Sequence, residues 1–156
     1  MQLEDTNPRL SFFRSLSPAE MNQLASGVTR WLGGELKEIL PGKLVAEFVV
    51  REDMTNPLRT LHGGIAALIM DEMMGMMVYL LGNPYAHTSV NLNCDFLHYA
   101  PVGTKLIATA TVIRKGKNII HCESEIRNDE GKIIAKSSSN LVITSVPIKD
   151  SFLKKK

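Results

Sequence analysis

Residues 63–81 read GGIAALIMDEMMGMMVYLL, and only Asp71 and Glu72 interrupt the apolar run. A helix that is apolar all round has no face to give to water and has to be surrounded. The run has nearly the length of a membrane span. Two adjacent acids at its centre would cost roughly 2.5–3.5 kcal/mol each on insertion, so a helix wrapped by protein is the better reading. An ionised carboxylate in such a setting is itself costly, and acids kept there are often kept for chemistry.

The rest of the chain supplies a wrapping. Ser17-Pro18-Ala19-Glu20 is a capping box with proline at the first helical position, and Leu24, Val28, Trp31 and Leu32 follow at helical spacing until Gly33-Gly34. This predicts one helix over 17–32. Residues 35–51 read as a hairpin turning at Pro41-Gly42, with Leu44, Ala46, Phe48 and Val50 on one face. Residues 52–61 form a loop. After the long run, Gly82-Asn83-Pro84 stops the helix and four strands follow. In the first, Val90, Leu92, Cys94 and Phe96 share one face, and Ser89, Asn91, Asn93 and Asp95 the other. Turns at 101–103, 114–118 and 128–131 separate it from strands at 104–114, 119–127 and 132–146. Short turns predict an antiparallel meander curled around the single helix, an α+β arrangement.

A chain of 156 residues suits one domain, 1–156, with a helical extension over 1–33 and a flexible basic tail over 147–156. A net charge of +2 makes no general case for nucleic acid. Cys94 and Cys122 belong to no C-x-x-C pair, and no H-E-x-x-H is present, so no metal site is expected. Two thiols in strand-like segments and a polar N-terminus point to a cytoplasmic protein with no cofactor of its own.

The chemistry gathers in one stretch. Asn56-Pro-Leu-Arg-Thr-Leu-His62-Gly63-Gly64 leads into the helix, Asp71 lies eight residues beyond Gly63, and Ser89 heads the strand SVNLNCDFLHYAP. At these residues the chain resembles the PaaI-like hotdog-fold acyl-CoA thioesterases, whose human relatives act on long-chain acyl-CoA. The likeness runs over roughly residues 35–146. Arg59 departs from the small residue frequent there, and Glu72 beside Asp71 is a second acid at the same place. The resemblance implies a hotdog fold, an antiparallel sheet around one long helix. It also implies hydrolysis of an acyl-CoA thioester, with coenzyme A as part of the substrate.

Glycines opening a helix leave backbone N–H groups at the positive end of its dipole, where an oxyanion can be held. The Gly63 N–H would polarise the thioester carbonyl, with Asn56 and His62 positioning the carbonyl or the water. Asp71 would act as general base or as nucleophile. Ser89 would orient the water or the carboxylate. The basic turn Arg114-Lys115-Gly116-Lys117-Asn118 offers cations and backbone donors to the phosphates of coenzyme A. Gly63 and Asp71 lie roughly 12 Å apart along one helix, so both can act on one carbonyl only if they come from different subunits. That predicts a two-fold homodimer, and the resemblance implies a further pairing of dimers into a homotetramer.

Each residue has a plainer reading. Asp71 and Glu72 could pair with core groups, Gly63-Gly64 could allow close packing, and His62 could be a satisfied histidine. The methionines could be filler that also lines an adaptable acyl pocket, and the basic turn could be simply solvated. His87, His98 and His121 carry no argument. The alternative function is a non-catalytic acyl-CoA-binding sensor. A hotdog dehydratase would place its histidine in a motif that is missing here.

Overall fold

The computed structural model of the chain describes residues 3, 5, 7–25 and 27–151. Lys154, Lys155 and Lys156 of the basic tail lie outside the described residues. Four helices, α1 (Pro8–Arg14), α2 (Pro18–Leu24), α3 (Gly27–Leu32) and α4 (Gly63–Tyr79), accompany six strands. These are β1 (Glu35–Leu40), β2 (Lys43–Val49), β3 (Tyr85–Phe96), β4 (Lys105–Lys115), β5 (Ile119–Asn128) and β6 (Ile133–Pro147). All pairings are antiparallel, in the order β1-β2-β4-β5-β6-β3. The sheet wraps α4, which touches β2, β3, β4, β5 and β6.

The wrapping works because the inner face of the sheet is lined by small residues. Ala108, Ala110, Cys122, Ser124, Ser137 and Ser139 are buried there. They leave room for Met70, Met73, Met74 and Met77 of α4, also buried. Unbranched thioether side chains fill such irregular space well, and each contributes roughly 1.5–3 kcal/mol on burial. Two of the three inner serines are hydrogen-bonded, Ser124 Oγ donating to Thr109 O at 3.0 Å and Ser139 Oγ to Asn91 O at 2.8 Å, while the buried Ser137 Oγ meets no partner among the described residues.

Three expectations need correcting. Residues 17–32 form two helices, because the backbone turns extended at Ala25 and Gly27 has a φ of +52°. Leu24, Val28 and Trp31 stay partly exposed as a result. A further helix, α1, precedes them, and the same signals that mark α2 mark it: Asn7 caps it and Pro8 opens it. The four late strands are not one meander. The β2 strand occupies the side of β4 that β3 would have taken, and β3 crosses to pair with β6. The described part of the tail, residues 147–151, meets α1 and α4 through Asp150. The buried Arg9 holds Asp150 at 2.7 Å, and Tyr79 Oη donates to the same carboxylate at 2.8 Å.

That last cluster closes the end of α4. Arg9 Nη1 donates to Tyr79 O at 3.1 Å and Asn83 O at 2.7 Å, and Asn7 Nδ2 donates to Leu80 O at 2.9 Å. The final carbonyls of a helix lack intrahelical partners, and a cation there also meets the negative end of the dipole.

Candidate active site

The loop before α4 is built by one side chain. Asn56 Oδ1 accepts from the backbone N–H of Leu58 at 3.0 Å and of Thr60 at 3.2 Å. Its Nδ2 donates to Thr60 Oγ1 at 2.9 Å. The turn this makes forces Arg59 into the left-handed region at φ +59°, and its guanidinium pairs with Glu52. Leu61 N–H then reaches Ala100 O and His62 N–H reaches Met54 O, both at 2.8 Å, which aims the chain into α4. Asn56 is therefore occupied in holding the loop, a role its Asn-Pro sequence could have suggested.

His62 is the N-cap of α4. Its Nδ1 accepts from the Gly64 N–H at 2.9 Å. Histidine is not among the preferred caps, which is why the sequence did not announce it. Glycine at 64 follows from the cap, since an added Cβ would stand 3.1 Å from His62 Nδ1. The N–H groups of Ile65 and Ala66 go to His62 O at 2.9 and 3.0 Å. Among the described residues the Gly63 N–H has no acceptor, and it stands at the helix start beside the half-exposed ring of Phe96.

Further along α4, Ser89 Oγ donates to Asp71 Oδ1 at 3.0 Å. A β-bulge makes this contact possible. Ser89 pairs with Leu141 and Asn91 with Asn140, so Val90 is an extra residue on β3. Simple alternation puts Ser89 opposite Leu92 and Cys94. The inserted residue brings it round to the helix side with them, which is how bulges near sites re-aim a side chain. Cys94 is close enough to feel Asp71; its thiol is pushed up by burial first, then by the charges of Asp71 and Asp95.

Asp71 is half-buried rather than enclosed, because the sheet of one chain leaves that side of α4 open. Glu72, next to it, takes a different partner, accepting from Thr29 Oγ1 at 2.6 Å. The turn 114–118 lies on the Ser89 side of the fold. Ile119 pairs with Val142, which pairs with Thr88, and Ile143 N–H donates to Asn118 O at 2.9 Å. Gly116 is required there, since a Cβ would come within 2.8 Å of Ile119 O. Burial pushes the His87 imidazole below its usual range, against the Tyr85 backbone, and the charge of Lys115 adds a smaller push downward. The fold thus joins Asp71 with Ser89 and places the basic turn at the same end of the sheet as Ser89. Gly63 and His62 stand at the other end, beside Phe96. Asn56, in the loop before them, is turned inward to its own loop.

Among the described residues no group of three His, Cys, Asp or Glu side chains is arranged to hold a metal, and no helix is long and apolar enough to cross a membrane.

Known proteins share these features. Residues 58–135, half of the chain, match the family model of the thioesterase superfamily, a span that holds Gly63, Asp71, Ser89 and the basic turn. Human acyl-coenzyme A thioesterase 13 is 32% identical over 96 residues, 61% of this chain and 69% of that protein. The PaaI protein of E. coli superposes with a TM-score of 0.78 at 21% identity, covering 92% of this chain and all of the other. A thioesterase-like protein of Streptococcus pneumoniae, solved with coenzyme A, superposes at 0.69 and 18% identity over 74% of this chain and 88% of its own. A long helix enclosed by an antiparallel sheet, entered through His62-Gly63-Gly64 and carrying Asp71, is the hotdog arrangement, and the chain belongs to the thioesterase superfamily as one of its thioester hydrolases.

Proposed function

We propose that the chain hydrolyses acyl-CoA thioesters to the free acid and coenzyme A, at a site shared by two copies. The observation that carries this reading is the division of labour along α4. An unspent N–H stands at Gly63, an acid tethered by Ser89 stands at Asp71, and eight residues separate them. Roughly 12 Å of helix is too far for both to reach one carbonyl carbon and its oxygen. A two-fold axis beside α4 puts the Gly63 of one copy opposite the Asp71 of the other. Two features support such a partner. The β3 strand is a sheet edge carrying Val90 at 60% and Phe96 at 58% exposure. The open side of α4 lies next to it, and exposed edges of this kind are usually covered.

In this reading the thioester oxygen accepts from the Gly63 N–H at the positive end of α4, where negative charge develops as the carbonyl is attacked. Ser89 occupies Asp71 Oδ1, which leaves Oδ2 to take the proton of a water as its oxygen bonds to the carbonyl carbon. The carbon–sulfur bond then breaks, and coenzyme A leaves as a thiolate stable enough to need no strong acid. Asn56 and His62 serve by holding the loop and the helix start, and so place the Gly63 N–H. Arg114, Lys115, Gly116, Lys117 and Asn118 take the phosphates of coenzyme A, the ligand named for the pneumococcal structure and in the name of the human relative.

Thiol release from a panel of acyl-CoA esters tests the activity, and absence of turnover on every ester would end this reading. Subunit mixing tests the shared site. One chain carries Asp71→Ala and the other Gly63→Pro, each inactive alone. Heterodimers should regain up to one working site in two, and heterodimers without activity would place both groups in one chain. Single turnover in ¹⁸O-water separates base from nucleophile, since label in Asp71 would mark a mixed anhydride.

A further inference from the structure

His87, which has no part in the reaction above, stands between the acid and the basic turn. Ser89 and Lys115 end one row across the sheet. Ser89 pairs with Leu141, Leu141 with Ile120 and Ile120 with Lys115. Leu141 and Ile120 are buried in the core, so the row lies on the face towards α4. Lys115 thus shares a face with Ser89, which holds Asp71. Three strand spacings separate Ser89 from Lys115, about 14 Å. His87 lies two residues before Ser89 with no register shift between them, so it takes the same face about 7 Å further along β3. It pairs with Ile143, whose N–H reaches Asn118 O at 2.9 Å, which sets His87 level with the turn.

The surroundings of the ring define what it can offer a ligand. The side chain is half-buried. Burial lowers its pKa most, and Lys115 is close enough for its charge to add to that. The Tyr85 backbone pushes the other way, as a carbonyl does when a ring N–H is aimed at it. A neutral imidazole that gives its one N–H to a carbonyl presents its second nitrogen as an acceptor. A phosphate only accepts, so that nitrogen suits a different part of the ligand.

We infer that His87 holds the pantetheine arm of coenzyme A, its second ring nitrogen accepting an amide N–H between the sulfur and the phosphates. This rests on the thioesterase reading above. The arm has about thirteen bonds from sulfur to the first phosphorus, the length of roughly four residues, and spans about 14 Å extended. That matches the separation of Ser89 and Lys115, so the sulfur can lie at Asp71 while the phosphates lie at Lys115. Leu141 and Ile120 are covered, which leaves the arm a course along the His87 side of the row. Its amide N–H groups need acceptors once water is displaced from them. His87 therefore favours pantetheine thioesters over thioesters of simple thiols.

The test removes the acceptor from the protein and the amides from the thiol. His87→Phe keeps a ring and deletes the acceptor, and His87→Asn restores an acceptor on a shorter side chain. With the acyl group that the parent hydrolyses fastest, kcat and KM are measured for its esters of coenzyme A, pantetheine and ethanethiol. His87→Phe should lower kcat/KM about fivefold to tenfold with the first two esters, through KM, which is the worth of one neutral hydrogen bond. The ethanethiol ester has no amide and should change less than about twofold, while His87→Asn should stay within about threefold of the parent on all three esters. An equal loss on the ethanethiol ester overturns the inference, since His87 would then act through Asp71 or the fold. A loss with coenzyme A alone overturns it too, because His87 would then meet the phosphates. So does a His87→Phe variant within about twofold of the parent on every ester, or a His87→Asn variant as impaired as His87→Phe. If His87→Phe does not fold, His87→Ala takes its place on the same three esters. If the parent hydrolyses no ester, the thioesterase reading fails and calorimetry with pantetheine decides His87 by itself. The parent must then bind pantetheine, and His87→Phe must bind it at least about fivefold more weakly.

Discussion

Asp71 and Glu72 are neighbours on one helix and face different parts of the molecule. A step of about 100° around α4 separates them. Asp71 meets β3, where a bulge at Val90 brings the Ser89 hydroxyl to within 3.0 Å. Glu72 meets the N-terminal extension, where Thr29 holds it at 2.6 Å beside an apolar cavity. Two identical charges in one apolar run thus acquire separate employment from what is packed against them. The lesson is that an acid's residue type and spacing nominate it for chemistry, while the element opposite decides whether it is tethered for reaction or tied to a wall.

The sharpest way to break this contrast is to neutralise each acid in turn. Asp71→Asn should lower kcat by roughly 10²–10⁴, the range for losing a general base, with circular dichroism unchanged. Glu72→Gln should stay within tenfold of the parent on acetyl-CoA. Equal losses in the two variants would erase the distinction. Next in size is the extension that builds the Glu72 side. Arg9→Ala strands Asp150 and uncaps the last carbonyls of α4, so urea unfolding should register a loss of roughly 3–5 kcal/mol. A change under 1 kcal/mol would mean that α1 does not anchor the extension. On the Asp71 side, Ser89→Ala should reduce kcat about tenfold with KM little altered, because the hydroxyl orients the reacting carboxylate rather than holding substrate. A pure KM effect would move Ser89 into binding. The smallest effect belongs to Thr29→Val, which removes one largely solvated hydrogen bond and should cost about 0.5–1.5 kcal/mol of stability. A loss of turnover as deep as that of Asp71→Asn would show that Glu72 shares the chemistry.

Much of this was legible along the chain. The β1–β2 hairpin and its inward Leu44, Ala46, Phe48 and Val50 follow from period-two alternation, and all four are buried. The α4 start at Gly63 follows from the glycines and the apolar run, and the capping box at Ser17 is present with both of its bonds. Local signals mark α1 as well, with Asn7 as its N-cap and Pro8 at its first position. Other features had no local signal. Nothing in SVNLNCDF marks Val90 as an extra residue, because a bulge is a relation between two strands and appears only when β3 is set against β6. The position of β3 at the far edge is likewise a competition, decided by β2 taking the side of β4 that β3 would otherwise fill.

What the sequence determined by itself was the set of local energies. An apolar helix had to be enclosed, alternating strands had to supply one apolar face, and a helix opened by glycines had to present free N–H groups. These follow from hydrophobic periodicity and backbone sterics, which act over a few residues. The tertiary structure alone decided which groups meet. The pairing of Ser89 with Asp71, of Thr29 with Glu72 and of Arg9 with Asp150 spans 18, 43 and 141 positions of the chain. Contacts at such separations depend on how whole elements compete for neighbours, and no short stretch of sequence contains that information.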